Sequence, residues 1–160
     1  MEPCEVSPAN LSEVASILQR AHWPVAERLG MTRETNPTHP AFQDTQSLAR
    51  LVKRERSKLF VFVKAGETVG CGGYAPVQRD GKAAWIKRVA VLPEHQRKGY
   101  GVRIVRLLEG MMREAGYEKA SLLCLTANRQ IAGFYRRLGY AVDGRSGRGL
   151  YRWTRMSKAL

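Results

Sequence analysis

An apolar run, Val89 to Pro93, gives way within eight residues to a strongly periodic stretch, Val102 to Ala115. The link is Gln96-Arg97-Lys98-Gly99-Tyr100-Gly101. A strand, a short basic glycine loop and a helix in direct succession require a sheet with helices laid on it. Two glycines let the backbone approach an anion closely, and the first N–H groups of the new helix point at it with the positive end of the dipole behind them. The loop reads as a phosphate cradle or as a basic strand-to-helix turn, and six residues alone leave both open.

A chain of 160 residues, 44% hydrophobic, suits one domain over residues 1–160 with one core. No basic segment followed by an apolar run opens it, and no stretch approaches the roughly 18 apolar residues of a membrane span. The expectation is a cytoplasmic protein without membrane association. Cys4, Cys71 and Cys124 are odd in number and form no CxxC or CxH pattern, so neither a disulfide framework nor a metal site is expected. Charge is lopsided. Residues 1–80 hold 10 Lys+Arg against 9 Asp+Glu, whereas residues 81–160 hold 17 against 5, a net of +12 around the glycine loop. Such a half attracts polyanions, whether a phosphorylated cofactor, an acidic substrate or nucleic acid.

In chain order, Asn10 to Glu13 suggests a capping box for a helix carrying Leu11, Val14, Ala15, Leu18 and Ala21, with Val6 in a short strand before it. Pro24, Gly30, Pro37 and Pro40 then mark a long loop from His22 to Pro40. Leu48 to Val52 predict a second helix ending near Ser57. Residues 59–63, 68–77 and 83–92 read as three antiparallel strands, the last two joined at Asp80-Gly81, with Gly70, Gly72 and Gly73 marking a bulge or a close backbone approach. The helix after the loop shows Ile104, Val105, Leu108, Met111 and Met112 on one face and Arg103, Arg106, Glu109 and Arg113 on the other. A buried strand over 120–126, a helix capped by Asn128 and strands over 140–142 and 150–156 complete the chain. An exposed final strand, Leu150 to Met156, would either complete its own sheet or pair between subunits, giving a monomer or a homodimer.

This order of elements resembles the GNAT superfamily of N-acetyltransferases. Gln96 to Gly101 matches its Q/R-x-x-G-x-G/A motif, Arg88 to His95 resembles its cofactor-lining strand, and Asn128 to Tyr140 is similar to its N-x7-Y-x3-G-F/Y helix. The resemblance implies an α/β (α+β) fold with a mixed, mostly antiparallel sheet of six to seven strands and about four helices, splayed at the cofactor site. It implies acetyl-CoA as acyl donor and no metal. Val89 and Val91 would pair with the pantetheine arm, and the N–H groups from Arg97 through Lys98, Gly99, Tyr100 and Gly101 to Val102, next to Gln96, would hold the pyrophosphate. Asn128 would touch the cofactor arm or simply cap its helix. Tyr135 would be the general acid for the departing thiolate, or a core tyrosine.

Acyl transfer to an amine also needs a proton acceptor, since an alkylamine of pKa ~10.4 costs roughly 4–5 kcal/mol to deprotonate at neutral pH. Many family members carry a glutamate early on the strand before the loop, where this chain has Ala84 and Trp85. Glu34, His39, Asp80 and His95 are the candidates that remain. The expected acceptor is an amine-bearing small molecule or a protein or peptide amine. Two alternatives stay open: a silent acyl-CoA-binding module, and an RNA-directed acetyltransferase, the latter less favoured because no nucleic-acid module is present.

Overall fold

A computed structural model describes residues 1–148 and 152–160. The elements are β1 (Glu2–Glu5), α1 (Leu11–Arg28), α2 (Thr45–Glu55), β2 (Lys58–Lys64), β3 (Glu67–Val77), β4 (Asp80–Val91), α3 (Tyr100–Glu114), β5 (Lys119–Leu125), α4 (Arg129–Arg137), β6 (Ala141–Ser146) and β7 (Trp153–Ala159). They build one seven-stranded sheet in the order β1-β2-β3-β4-β5-β7-β6. Every neighbouring pair is antiparallel except β4 with β5. This is the mixed α/β sheet with four helices that the resemblance implies.

Alternation explains the layering. In the run Leu59-Phe60-Val61-Phe62 successive side chains point to opposite faces. Leu59 and Val61 join Leu11, Val14, Leu18 and Leu48 under α1 and α2, while Phe60 and Phe62 join Ile104, Leu108, Met112 and Tyr135 under α3 and α4. Both faces are therefore covered, and burying a side chain such as Leu108 contributes about 1.5–3 kcal/mol. In β3, a Cβ at Gly70 would lie 2.2 Å from the Ala90 carbonyl and one at Gly73 2.1 Å from that of Lys58. These glycines mark the close approach of backbones, beside a register shift between Cys71 and Gly73.

Four expectations need correction. Asn10 makes no cap to α1; it completes a capping box with Ser7 around a preceding 3-10 turn, and Glu13 accepts from the Thr68 hydroxyl instead. The loop expected from His22 is helix as far as Arg28 and runs through Pro24. Buried Ala26 and the adjoining Leu29 pack against Phe42 and Met31, which offsets an interior-proline cost of about 3 kcal/mol. Glu109, expected on the solvent face of α3, is 4% exposed and accepts from Tyr140 Oη at 2.8 Å and Lys158 Nζ at 3.0 Å. Finally, β7 is not a free edge: it lies between β5 and β6, and its range begins at Trp153, while Leu150 lies outside the described residues. No described helix is long and apolar enough to cross a membrane.

Candidate active site

The site is made by a failure of pairing. Strands β4 and β5 are joined only where Ala83, Ala84 and Trp85 meet Lys119, Ala120 and Ser121. Beyond that joint both strands continue, to Val91 and Leu125, without pairing to each other. The divergence has a local cause. Arg88 lies in the left-handed region at φ +55° within β4, opposite the register shift in β3, and a bulge of this kind bends and twists its strand. Val89 and Val91 lie on β4 just after that bend, where the two strands are apart.

The glycine loop follows at the end of β4. A 3-10 turn, Pro93–His95, leads into it, and Gln96 Nε2 donates to the Val91 carbonyl at 3.0 Å, tying loop to strand. Lys98 Nζ donates to the Glu94 carbonyl at 2.9 Å, so its ammonium braces the turn. Arg97 and Gly99 take φ of +60° and +79°, and Gly99 caps α3. The backbone N–H groups from Arg97 to Val102 have no acceptor among the described residues, while Arg103 donates back to Gly99 at 3.2 Å. These are the unspent donors of a helix start, and α3 adds its dipole behind them. Tyr100 directs its hydroxyl outward, where it accepts from Lys64 Nζ at 3.0 Å.

On the other side of the divergence, a cavity of about 160 Å³ is walled by α1, β4, β5 and α4; His22, His39, Val89, Cys124, Asn128 and Tyr135 face it. Asn128 Oδ1 accepts from Ile131 N at 3.4 Å, so its cap role is real and coexists with its place in the wall. Tyr135 is held edge-on between Phe134 and Tyr140, at 5.0 and 5.5 Å between ring centroids. Its hydroxyl has no hydrogen-bond partner among the described residues, and burial pushes its phenol well above the usual range. It is thus a protonated donor at neutral pH.

The same cavity is lined by a residue that sequence reasoning missed. His22, on the stretch expected to be loop, has a buried Nε2 with no partner among the described residues. Its imidazole pKa is lowered to about 4, first by burial and then by His39, against a small opposing effect of the Val89 backbone. His39, one of the four candidates, meets it edge-on at 5.9 Å. His39 Nδ1 accepts from Ala41 N at 3.3 Å, which leaves the His39 proton on Nε2. Burial lowers its pKa too. The other candidates lie elsewhere: Glu34 is exposed beside the Thr32–Thr35 turn, Asp80 accepts from Lys82 N in the hairpin, and His95 stacks edge-on against Tyr100. No signal in the sequence distinguishes His22, because a lone histidine on a helix is ordinary until the opposite wall is known.

A second cavity, of about 370 Å³, shares Lys87, Arg88 and Trp153 with the first and opens between α2 and β4. Glu55 reaches it from α2. Its carboxylate accepts from Arg88 Nη1 at 2.7 Å and lies 3.6 Å from Lys87 Nζ. Burial works to raise its pKa, but the Arg88 hydrogen bond and charge outweigh it and hold Glu55 ionised.

A mixed sheet splayed at one parallel joint, with a glycine loop beside the gap, defines the acetyltransferase class of α/β folds. The chain belongs to the Acetyltransferase (GNAT) family, whose profile matches residues 22–140. No curated protein sequence matches it closely enough to report. Among solved structures it is similar to the PaiA N-acetyltransferase of Thermoplasma acidophilum in complex with coenzyme A, with TM-score 0.77 and 16% identity over 99% of this chain and 98% of that one. It is also similar to the ribosomal-protein-S18-alanine N-acetyltransferase of Escherichia coli, with TM-score 0.74 and 18% identity over 99% and 92%. A GNAT family acetyltransferase of Elizabethkingia anophelis with acetyl-CoA bound aligns at TM-score 0.60 and 15% identity over 69% and 82%. At these identities the likeness is one of fold.

Proposed function

We propose that this protein is an N-acetyltransferase that moves an acetyl group from acetyl-CoA directly to a primary amine. One observation carries the reading: the gap between β4 and β5 has unspent N–H donors at the loop and, lining one cavity, a protonated phenol and an unpartnered imidazole. The residues present suit the donor. The N–H groups of Arg97 to Val102 would hold its pyrophosphate, and the main chain of Val89 and Val91 would pair with its extended arm as another strand would. Its similarity in fold to structures that hold coenzyme A or acetyl-CoA supports this.

When bound, acetyl-CoA supplies an acetyl group activated as a thioester. The Val89 N–H would polarise the acetyl carbonyl, the group on which negative charge develops. His22 Nε2 would take one proton from the amine as the N–C bond forms. Tyr135 would give its proton to the sulfur as the C–S bond breaks, and it regains one from His22 across the shared cavity. Both groups therefore end in their starting state. His39 orients His22 and, with its Nδ1 engaged by Ala41, acts only as a donor. Neither buried cysteine is needed: Cys71 and Cys124 are both pushed to high pKa by burial, the wrong direction for a nucleophile.

The test is thiol release from acetyl-CoA across a panel of primary amines, with the acetylated product identified by mass. Amine-dependent release is expected. Tight acetyl-CoA binding without release for any amine, RNA-linked amines included, would convict the protein of binding only.

A further inference from the structure

The second cavity carries an excess of positive charge that the acetyl-transfer reading does not use. Arg54, Lys87 and Arg88 face it with Glu55 as the carboxylate between them. That carboxylate is shared. Its Oε2 is committed to Arg88 at 2.7 Å and to Ser57 at 3.1 Å, so Lys87 retains only a 3.6 Å approach to Oε1. Lys87 is half-buried and its ammonium stands 5.8 Å from the Trp85 ring, a contact that holds the cation at the wall without neutralising it. Arg54 makes no ion pair among the described residues. Arg88 itself is nearly buried, and its Nε has no partner among the described residues. A buried guanidinium N–H left unpaired is costly, so Glu55 leaves Arg88 incompletely satisfied and its charge incompletely screened at this wall.

Trp85 and Trp153 supply apolar wall, and the shared residues Lys87, Arg88 and Trp153 join this space to the one that holds His22 and Tyr135. From this arrangement we infer that the acceptor is a primary amine that also carries an anionic group, a carboxylate or a phosphate. The anion lodges against Lys87, Arg54 and Arg88 while the amine reaches His22. The inference rests on the acetyltransferase reading and narrows its acceptor. The same positive field has a second effect. It disfavours the ammonium form of the incoming amine, so a larger share arrives neutral and His22 takes only the one proton lost as the N–C bond forms.

The experiment uses matched amine pairs that differ in the anionic group: phenethylamine against phenylalanine, and ethanolamine against phosphoethanolamine, each assayed by thiol release from acetyl-CoA. The anionic member of at least one pair should show a kcat/KM at least about tenfold higher. Which pair responds separates carboxylate from phosphate. In Lys87→Gln and Arg54→Gln the ratio should fall toward unity, and in the wild type it should shrink as salt is raised. Turnover of the uncharged members at equal or higher kcat/KM would overturn the inference and leave the acetyltransferase reading standing. Acetyl-CoA binding with no thiol release for any member of these pairs, nor for any amine of the wider panel, would overturn both.

Discussion

The wall that holds His22 can be tested by acid. A histidine pKa of about 4 in the folded chain, against 6.5 when solvated, means that the unfolded chain binds the extra proton first as pH falls. Stability from this group is therefore complete above the solvated pKa and is lost as pH drops through the window between the two values. Between about pH 7 and about pH 4.5 the loss works out at about 2 kcal/mol for this one imidazole. Paired carboxylates such as Asp44, Glu55 and Asp143, whose pKa values lie below the ordinary range, also lose stability in acid, so the wild-type slope alone does not isolate His22. Comparison with His22→Gln does. Denaturant unfolding of both proteins at the two pH values should show the wild type losing about 2 kcal/mol more than the variant. Equal losses, within about 0.5 kcal/mol, would show that the imidazole titrates in solvent and not in a closed wall.

Two further outcomes follow from the same geometry. Tyr135→Phe removes a hydroxyl that no described residue engages, so unfolding free energy should shift by less than about 1 kcal/mol, whereas single-turnover acetyl transfer should slow by on the order of 10²-fold; an unchanged chemical rate would remove Tyr135 from the acid role. At Gly101 a Cβ would sit 3.5 Å from the Phe134 ring, an ordinary contact, so both Gly101→Ala and Gly101→Val should fold. Calorimetry should then show acetyl-CoA affinity falling by at least about 100-fold in the valine variant, and full affinity would refute the phosphate cradle.

What could be read from the sequence was what neighbouring residues decide among themselves. The glycine loop, the Asn128 cap and the alternating Leu59–Val63 strand are local in that sense, and each stands where its spacing placed it. The misreadings have distant causes. Pro24 announces a helix end, but Ala26 and Leu29 gain enough against Phe42 to carry α1 onward. Glu109 falls on the charged side of the α3 wheel, but its partners Tyr140 and Lys158 arrive from 31 and 49 residues away. His22 is invisible for the same reason: its meaning comes from His39, Val89 and Tyr135, brought to its cavity by a turn, β4 and α4.

The three-residue joint between β4 and β5 bears on how such a protein changes over time. In the proposed enzyme, donor recognition is written in main chain: strand edges along β4 and N–H groups at the loop, which are nearly the same whatever side chains are attached. Acceptor recognition is written in side chains on α1, α2 and the turn at His39, plus two cations of β4. The first alphabet has almost no letters to mutate, and the second can be rewritten one residue at a time. In the proposed enzyme, substitutions at Arg54, Glu55 or Lys87 can therefore redirect the acceptor while the donor stays fixed, so that one scaffold can be retuned to new amines without relearning its acyl source.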